Sequence, residues 1–442
     1  MMAYLKKNKF FIIAWLMIVI LSYGMTVLQA PMLIRNTFLV AATSICLFTL
    51  WKSNCEVKWE LAVLMLGLAG RIIFCYLDVY TAFELPIGGG DDGIGFMERA
   101  IAYYNGDFSV QYTKYPYILN AIFQITGINQ YAAQYANILC WSFSALVMQK
   151  CCKRLQITGY LRLIAIAVFA WLPTNIWITS ILYRDAYIML LLCLSFYYLL
   201  VWMQDGKLHG IVLSVAAVLL ASLLHGASVM ALIPVIYTVV FYSQGTKQFC
   251  ITKKAVIMSL VTIGGVFIIL IIPQTREMIL RKIPNMNGGL IEGLNRYLEN
   301  KYDGSVAGSD YLTGRYLTGY FDILPMTVQR MYYHTFSPAP DMWRGFIDVA
   351  AFFMSTAPVY LAAAICWLVS LSYKKIDAYR CVLFLEIFIT VGVYAWGNKN
   401  AGSALRHREK ILSLVILLTM YSVNIIIQEK KRAKDYGKIT NV

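Results

Sequence analysis

The sequence predicts an all-α integral membrane protein, a polytopic bundle of about 11–12 transmembrane helices with interfacial helices in two long external loops. Mean hydropathy is +0.63, and charged residues make up 14% of the 442 residues, against about 25% in soluble domains. The apolar residues form continuous runs, and roughly 20 such residues cross a bilayer as a helix. Hydrocarbon tolerates no unpaired backbone groups, so continuous apolar runs of this length indicate helices.

The expected spans follow from these runs. They are 10–29, 36–51, 58–77, 131–149, 160–180, 182–203, 209–224, 226–243, 255–273, 346–372, 379–396 and 410–428. The first run is too long for the core of a signal peptide, so we interpret it as a retained anchor. The block 209–243 is either a helical hairpin or something more irregular, which makes eleven spans the alternative.

We expect a single integral membrane domain over residues 1–442. An N-terminal helical hairpin would cover 1–57, and a core over 58–273 would carry the first external loop, 78–130. The second long external loop would be 274–345, followed by C-terminal helices and a basic cytoplasmic tail over 346–442.

The charges predict the orientation. With the N-terminus in the cytoplasm, the cytoplasmic segments hold 21 of the 38 Lys and Arg residues but six of the 23 carboxylates, so the whole net charge of +15 lies on that face. This distribution follows the positive-inside rule and predicts a multi-pass protein of the cytoplasmic (inner) membrane with both termini inside. Contact with anionic lipid headgroups explains the surplus, so no nucleic-acid partner is needed. The ten cysteines avoid the long external loops, which argues against an exported disulfide framework.

The stretch "PIGGGDDGIGFMERA" in the first external loop holds the adjacent carboxylates Asp91 and Asp92. We expect them at a turn, followed by the amphipathic helix "GFMERAIAYYNG" and by "YPYILNAIFQITG", a second helix too short to span. Such a pair could deprotonate a hydroxyl or hold a divalent cation, Mg²⁺ or Mn²⁺, and the sequence leaves metal use open. The simpler alternative is an Asp-Gly turn with a helix cap.

Two other places put charges at the expected outer edge. In "ITSILYRDAYIML", Arg184 and Asp185 stand between two spans, where an ionisable pair is either functional or a salt bridge that locks two helices.

In "YAWGNKNAGSALRHREK", a short external loop would hold several cations, against the positive-inside pattern. Guanidinium groups suit phosphate oxygens, so a lipid-linked phosphate or pyrophosphate would fit, with headgroup contact as the alternative. The cations considered for phosphate or substrate binding are Lys399, Arg406, His407 and Arg408, together with His225, Arg315 and Arg330 elsewhere on that side.

The chain from Asp91 to about Trp202 resembles membrane glycosyltransferases of the GT-C superfamily. The resemblance is carried by "DD", "MERAIAYYNGDF", "KYPYILNAIFQITG", "QYANILCWSFSALVMQKCCKRL" and "AWLPTNIWITSILYRDAYIMLLLCLSFYYLL". The late "GNKNAGSALRHREK" is similar to a segment before the last helix of polysaccharide-assembly membrane proteins, including some polymerases. The resemblance implies that region 58–273 is a GT-C-like core and that Asp91 or Asp92 is the general base. It implies phosphate ligands at Arg184, Arg406 and Arg408, with Asp185 orienting Arg184.

The sequence therefore predicts a glycosyltransferase of cell-surface polysaccharide (capsule or exopolysaccharide) assembly. It would transfer a sugar, with inversion, from a polyprenyl-phosphate donor to a glycan or lipid-linked acceptor on the outer face of the membrane. A Wzy-type polymerase acting on polyprenyl-pyrophosphate-linked repeat units would use the same parts. A flippase or transporter of lipid-linked saccharides is the alternative from another class. Glu386, inside a span, is the feature that favours it.

Overall fold

The structure is a computed structural model that describes residues 2–81, 90–109, 113–253, 255–260, 289–302 and 309–439. Its helices up to the middle of the chain are α1 (Met2–Val27), α2 (Met32–Asn54), α3 (Lys58–Tyr80), α4 (Gly90–Tyr104), α5 (Tyr115–Thr126), α6 (Gln130–Arg154), α7 (Gly159–Trp171), α8 (Pro173–Ser180), α9 (Asp185–Asp205), α10 (Leu208–Leu224) and α11 (Leu232–Phe241). A 3₁₀ turn at Gly226–Ala231 precedes α11, and a short hairpin of β1 (Tyr242–Ser243) and antiparallel β2 (Gln248–Phe249) follows it. The later helices are α12 (Leu290–Tyr302), α13 (Ile323–Phe336), α14 (Phe346–Met354), α15 (Ala357–Leu371), α16 (Ala378–Gly397), α17 (Ala401–Glu409) and α18 (Leu412–Ile439).

The predicted all-α class is confirmed for the described residues, and the chain is a membrane protein by the length and composition of its helices. Five described helices are long and apolar enough to cross a bilayer: α2, α3, α9, α16 and the Leu412–Asp435 part of α18. The number rises to seven if each of two bent helix pairs counts as one span. Most of the expected span 255–273 lies outside the described residues.

The expected spans 160–180 and 346–372 are each a bent pair of helices in the structure. Helices α7 and α8 meet at 53°, and so do α14 and α15. Pro173 is the first residue of α8, and Pro358 stands in the first turn of α15. Proline cannot donate the backbone hydrogen bond of a continuing helix but fits its first turn, so each proline starts a new helix.

Internal contacts divide the chain into two compact units. The first comprises Met1–Tyr197, Ala216–Ser228 and Glu409–Asn424, and the second comprises Tyr198–Val215, Val229–Arg408 and Ile425–Val442.

The first unit is built around α6, against which α2, α3, α5, α7 and α8 pack. Both faces of α6 are buried, including polar side chains such as Gln134, Asn137 and Gln149. A helix enclosed in this way can carry polar groups because its neighbours supply hydrogen-bond partners. The expected span 131–149 is therefore an internal helix with a polar component, and it is not among the helices that meet the apolar criterion for a span.

Helices α4 and α5 form a packed pair in the first unit, confirming the two helices predicted in region 78–130. The ring of Phe96 meets that of Tyr115 edge-to-face at 5.1 Å. Helix α4 begins at Gly90, so Asp91 and Asp92 belong to its first turn. This corrects their predicted place in a preceding turn. Carboxylates are favoured there because the first backbone N–H groups of a helix carry partial positive charge.

In the second unit, α13 packs against α16, and α15 also contacts α13. Helix α11 packs on another part of α16. The prediction of a loop over 394–410 is wrong for most of that segment. The chain leaves α16 at Gly397, forms a short bridge between Asn400 and Asp310, and enters helix α17 at Ala401. The run "AGSALRHRE" contains good helix formers and no proline, which accounts for α17.

Candidate functional site

Three segments of the first unit meet around Arg184. A β-carbon added at Gly93, in the first turns of α4, would lie 3.6 Å from the Leu182 carbonyl oxygen. The guanidinium carbon of Arg184 lies 5.6 Å from the centre of the Phe96 ring. Arg184 Nη1 also donates to the Leu224 carbonyl at 2.9 Å, at the C-terminal end of α10. The start of α4, the break before α9 and the end of α10 are thus neighbours.

The predicted residues Asp92, Arg184 and His225 lie at this junction. All three are partly exposed, and His225 directly follows Leu224. The side chain of Asp91 lies outside the described residues. We name this set, Asp92, Arg184 and His225, the Arg184 junction.

Helix α6 fixes the position of the segment between α8 and α9. Asn137 donates its side-chain amide to the Ile181 carbonyl and accepts a hydrogen bond from the Tyr115 hydroxyl at 3.2 Å. A buried amide that donates to a carbonyl and accepts from a hydroxyl fixes the chain direction on both sides. The position of Arg184 is therefore set by packed helices rather than by a free loop.

Asp185 forms a fully buried ion pair with Lys410. The distance from Lys410 Nζ to Asp185 Oδ1 is 3.1 Å, and both side chains are 0% exposed. Lys410 belongs to the cation-rich segment 394–410, which the sequence predicts to be a short external loop. Orientation of Arg184 by Asp185 stays a prediction.

A second buried network runs from α3 to Glu409. Arg71 Nη2 donates to Asn175 Oδ1 at 2.6 Å, and Asn175 Nδ2 donates to Glu409 Oε2 at 2.9 Å. Thr174 donates its hydroxyl to the other Glu409 oxygen at 2.5 Å. The Arg71 guanidinium also lies 3.6 Å from the centre of the Trp141 ring. A buried carboxylate that accepts bonds at both oxygens is stable as the charged form, so this network is well suited to a structural role.

Arg71, Asn175 and Glu409 are not among the residues that the sequence predicts for a site. A signal was available, since "LAGRIIFC" places one arginine inside an apolar span, where an ionisable residue implies a nearby partner. The partner, however, is 338 positions further along the chain, and one sequence gives no information on pairing at that distance.

In the second unit, Arg330 is completely buried on α13. Its Nε, Nη1 and Nη2 atoms have no hydrogen-bond partner among the described residues. The guanidinium carbon lies 5.1 Å from the centre of the Trp396 ring on α16. Cation–π attraction offsets part of the cost of burying the charge, but it leaves the five N–H donors unused.

Imidazole and amide groups lie near the same helix pair. His334 Nδ1 and Asn398 Nδ2 are 2.8 Å apart and form a hydrogen bond. The ring of Tyr394 lies 6.4 Å from that of His334 and 5.3 Å from that of His407, centre to centre. Tyr394 thus connects the predicted residue His407 with His334, another histidine of the second long loop.

Arg408 is also fully buried and joins α17 to the end of α13. Its Nη1 and Nη2 atoms donate to the carbonyls of Thr335 and Ser337, the latter at 2.7 Å. The Tyr360 hydroxyl donates to the Arg408 carbonyl at 3.1 Å. This guanidinium therefore fixes the backbone that follows α13, a role that the phosphate-ligand prediction did not include.

The remaining predicted cations of the second unit differ in surroundings. Arg406 is half-buried on α17, one turn from its end. Lys399 Nζ lies 3.9 Å from Asp310 Oδ2, and the exposed Arg315 donates to Gln329 Oε1 at 3.2 Å. Arg315 is therefore set apart from Arg330 and Arg408 by its exposure. We name Arg330, His334, His407 and Arg408 the α13 cluster.

Neither group forms an evident metal site. In the part of the chain that the structure describes, no three His, Cys, Asp or Glu side chains are placed to hold a metal ion. The chemistry offered is a partly exposed carboxylate, Asp92, on the helix whose Phe96 lies near Arg184 in the first unit, and the buried guanidinium of Arg330 in the second.

Compared with known proteins, the chain matches no family model, no curated protein sequence and no solved structure.

Proposed function

We propose that the protein is a membrane glycosyltransferase of cell-surface polysaccharide assembly. It would take a sugar from a polyprenyl-phosphate-linked donor at the outer face of the cytoplasmic membrane and pass it to a glycan or lipid-linked acceptor. The proposal includes the finer topology, with 11–12 spans, both termini inside and a GT-C-like core. The observation that carries it is the buried guanidinium of Arg330, whose donors have no partner among the described residues.

A buried arginine without hydrogen-bond partners favours an anion. Leaving a buried donor unsatisfied costs about 1–3 kcal/mol, and more for a charged group. A phosphate accepts two parallel N–H bonds from a guanidinium, which recovers this cost when the ligand binds. The Trp396 ring beside Arg330 offers an apolar surface for the lipid next to that phosphate. Lipid-linked phosphates combine these two chemical properties.

The Arg184 junction supports the acid–base half of the proposal. Asp92, or Asp91 beside it, would accept the proton of the acceptor hydroxyl as that oxygen forms the new bond to the anomeric carbon. The bond from the anomeric carbon to the phosphate oxygen breaks, and its electron pair stays on the phosphate. Guanidinium donors stabilise the negative charge that develops there, which is the usual electrostatic contribution to such transfers.

A second candidate is a Wzy-type polymerase, and one observation favours it. The second unit holds more than one buried or half-buried guanidinium, since Arg408 and Arg406 stand near the end of α17. Two guanidinium groups suit a pyrophosphate better than a monophosphate. The donor of a polymerase is linked through pyrophosphate, so the number of phosphates bound would separate the two functions.

Binding of a short lipid phosphate tests the proposal. Farnesyl phosphate, added to the purified protein, should quench tryptophan fluorescence through Trp396, and farnesol should not. We expect Arg330→Gln to weaken this binding at least tenfold. Arg344→Gln, which removes an exposed cation of the same unit, is the matched control and should bind as the parent does. Equal affinity of R330Q and the parent would place the phosphate elsewhere. Farnesyl pyrophosphate, measured in parallel, distinguishes the polymerase from the transferase.

The base is tested in cells that lack the gene and carry a variant copy. Asp91→Asn and Asp92→Asn together should abolish surface polysaccharide and cause lipid-linked saccharide to accumulate. Glu98→Gln, an exposed carboxylate on the same helix, should restore the polysaccharide fully. Normal polysaccharide in the double variant would exclude both carboxylates as the base.

A further inference from the structure

An apolar groove lies in the first unit between α1, α2, α5 and α6. Its cavity volume is about 140 Å³, and the groove is open to the surroundings on one side. Val19 of α1, Leu39 of α2, Thr126 of α5 and Ala136 of α6 are among its lining residues. Nearly all of the lining surface is carbon, so the groove offers a water molecule almost no hydrogen-bond partner.

The helices that form the groove turn an apolar surface outward. Val19 lines the groove and is 42% exposed, and its neighbour on α1, Ile20, is 62% exposed. On α2, Ile45 is 66% exposed. Because α2 is long and apolar enough to cross a membrane, we expect its exposed apolar side chains to face lipid, and a groove lined by Val19 and Leu39 is then within reach of lipid chains.

One end of the groove carries a positive charge. Arg35 is half-buried, and its Nη1 atom donates to the carbonyl of Thr126, a lining residue, at 2.8 Å. The same atom lies 3.2 Å from the Thr26 hydroxyl oxygen. Arg35 Nε is buried and has no hydrogen-bond partner among the described residues. A guanidinium with an unused donor, fixed at the end of an apolar groove, suits an anionic group attached to a hydrocarbon chain.

We propose that this groove binds one acyl chain of an anionic phospholipid, with the phosphate of its headgroup held by Arg35. The chain would fill the space between α1, α2, α5 and α6 and restore the dispersion contacts that an empty groove lacks. The lipid would thereby join α1 and α2 to α5 and α6. This site is independent of the proposed function, because the occupant is a lipid of the bilayer itself and not a substrate.

Native mass spectrometry of the full chain, purified in detergent and then titrated with lipid, tests the proposal. The probes are phosphatidylglycerol, which is anionic, and phosphatidylethanolamine, which is not. We expect the parent to retain one phosphatidylglycerol with at least a tenfold preference over phosphatidylethanolamine. In Arg35→Gln this preference should fall below twofold, while Lys52→Gln, an exposed cation on the same helix, should keep it.

Filling the groove should lower the retention of both lipids. Ala136→Phe places a ring in the groove and should lower retention of either lipid at least fivefold. Val19→Trp, which covers the opening from the exposed side, provides a second variant should Ala136→Phe fail to fold. Ile45→Phe adds the same ring to a lipid-facing site outside the groove and should change nothing.

Three results would overturn the proposal. One is a parent chain that retains no more phosphatidylglycerol than the groove-filled variants. Another is an unchanged preference in Arg35→Gln. The third is a groove occupied by a polyprenyl phosphate that phosphatidylglycerol cannot displace.

Discussion

Buried charges at two places in the molecule are compensated in different ways, one in each unit. In the first, Lys410 is 3.1 Å from Asp185, and Glu409 accepts hydrogen bonds at both of its oxygens. In the second, Arg330 has no hydrogen-bond partner among the described residues, and the described bonds of the Arg408 side chain are to backbone carbonyls. Burial is complete for all five side chains, to within 1%. What differs is how the charge is compensated.

The difference separates structural charges from charges suited to a ligand. Burying a charge is expensive, and a matched partner with good geometry repays much of that cost. Asp185, Lys410 and Glu409 have such partners, so these buried charges stabilise one arrangement of the helices of the first unit. A buried guanidinium with unused donors lowers stability until an anion arrives. Such local costs to stability are a common property of functional sites.

The largest expected effect comes from breaking the pair in the first unit. Asp185→Asn removes the negative charge and leaves Lys410 buried without its counter-charge. We expect the free energy of unfolding to fall by about 3–5 kcal/mol, the usual cost of breaking a buried ion pair. Denaturant unfolding of the purified protein, followed by helical circular dichroism, measures the loss.

The double variant Asp185→Leu with Lys410→Met provides the control for that measurement. Replacing a buried ion pair by apolar residues of similar volume is often neutral or stabilising. The double variant should thus recover to within about 1 kcal/mol of the parent. If D185N alone also stays within that margin, the pair contributes little, and the contrast between the units fails.

An intermediate effect of the opposite sign is expected at Arg330. Arg330→Met keeps the aliphatic length of the side chain and removes the buried charge, so stability should rise by about 1–3 kcal/mol, the cost of an unsatisfied buried donor. Arg408→Met, in the same unit, loses two bonds to carbonyls and should cost about 2–3 kcal/mol. The same unfolding measurement serves both. A large loss of stability in R330M would mean that this arginine already has a structural partner.

The helical class could be predicted because apolar runs and unpaired backbone groups depend only on local sequence. Helices α4 and α5 were predicted for the same reason, from the apolar spacing of Phe96 and its neighbours. The bends at Pro173 and Ser355 were missed, since an apolar run reads as one span whether or not it bends. The buried polar helix α6 is predicted as a membrane span, because hydropathy does not distinguish a lipid neighbour from a protein neighbour.

The charge pattern of the sequence predicts the candidate residues, but it does not predict their surroundings. Arg184 and Arg330 stood out as cations among apolar residues, and the structure gives each a defined position. The segment around Arg408 was expected to be an open loop. It is a helix with buried side chains, because its partners at Thr335 and Ser337 lie about 70 positions earlier in the chain. Pairing over such distances arises from tertiary packing, which a single sequence does not report.

The smallest expected effect concerns a carboxylate at the surface of the second unit. Tyr333 donates its hydroxyl to Asp341 Oδ2 at 2.6 Å, and this bond to a carboxylate, with burial as a further cause, raises the pKa of Tyr333 to about 12. An unfolded tyrosine has a pKa near 10. The folded chain thus keeps the proton to higher pH, so the stabilisation is fully present below about pH 10 and is lost as the pH rises toward 12.

Tyr333→Phe removes the hydroxyl and preserves the stacking on Tyr311, whose ring lies 5.2 Å away. At pH 8 the variant should be less stable than the parent by about 0.5–1 kcal/mol, as expected for one solvent-accessible hydrogen bond. Between pH 10 and 12 the two unfolding free energies should converge. A constant difference across that range would mean that the bond to Asp341 does not depend on the tyrosine proton. The exposed contact between Tyr333 and Asp341 could then not serve as a reference for the buried charges of the two units.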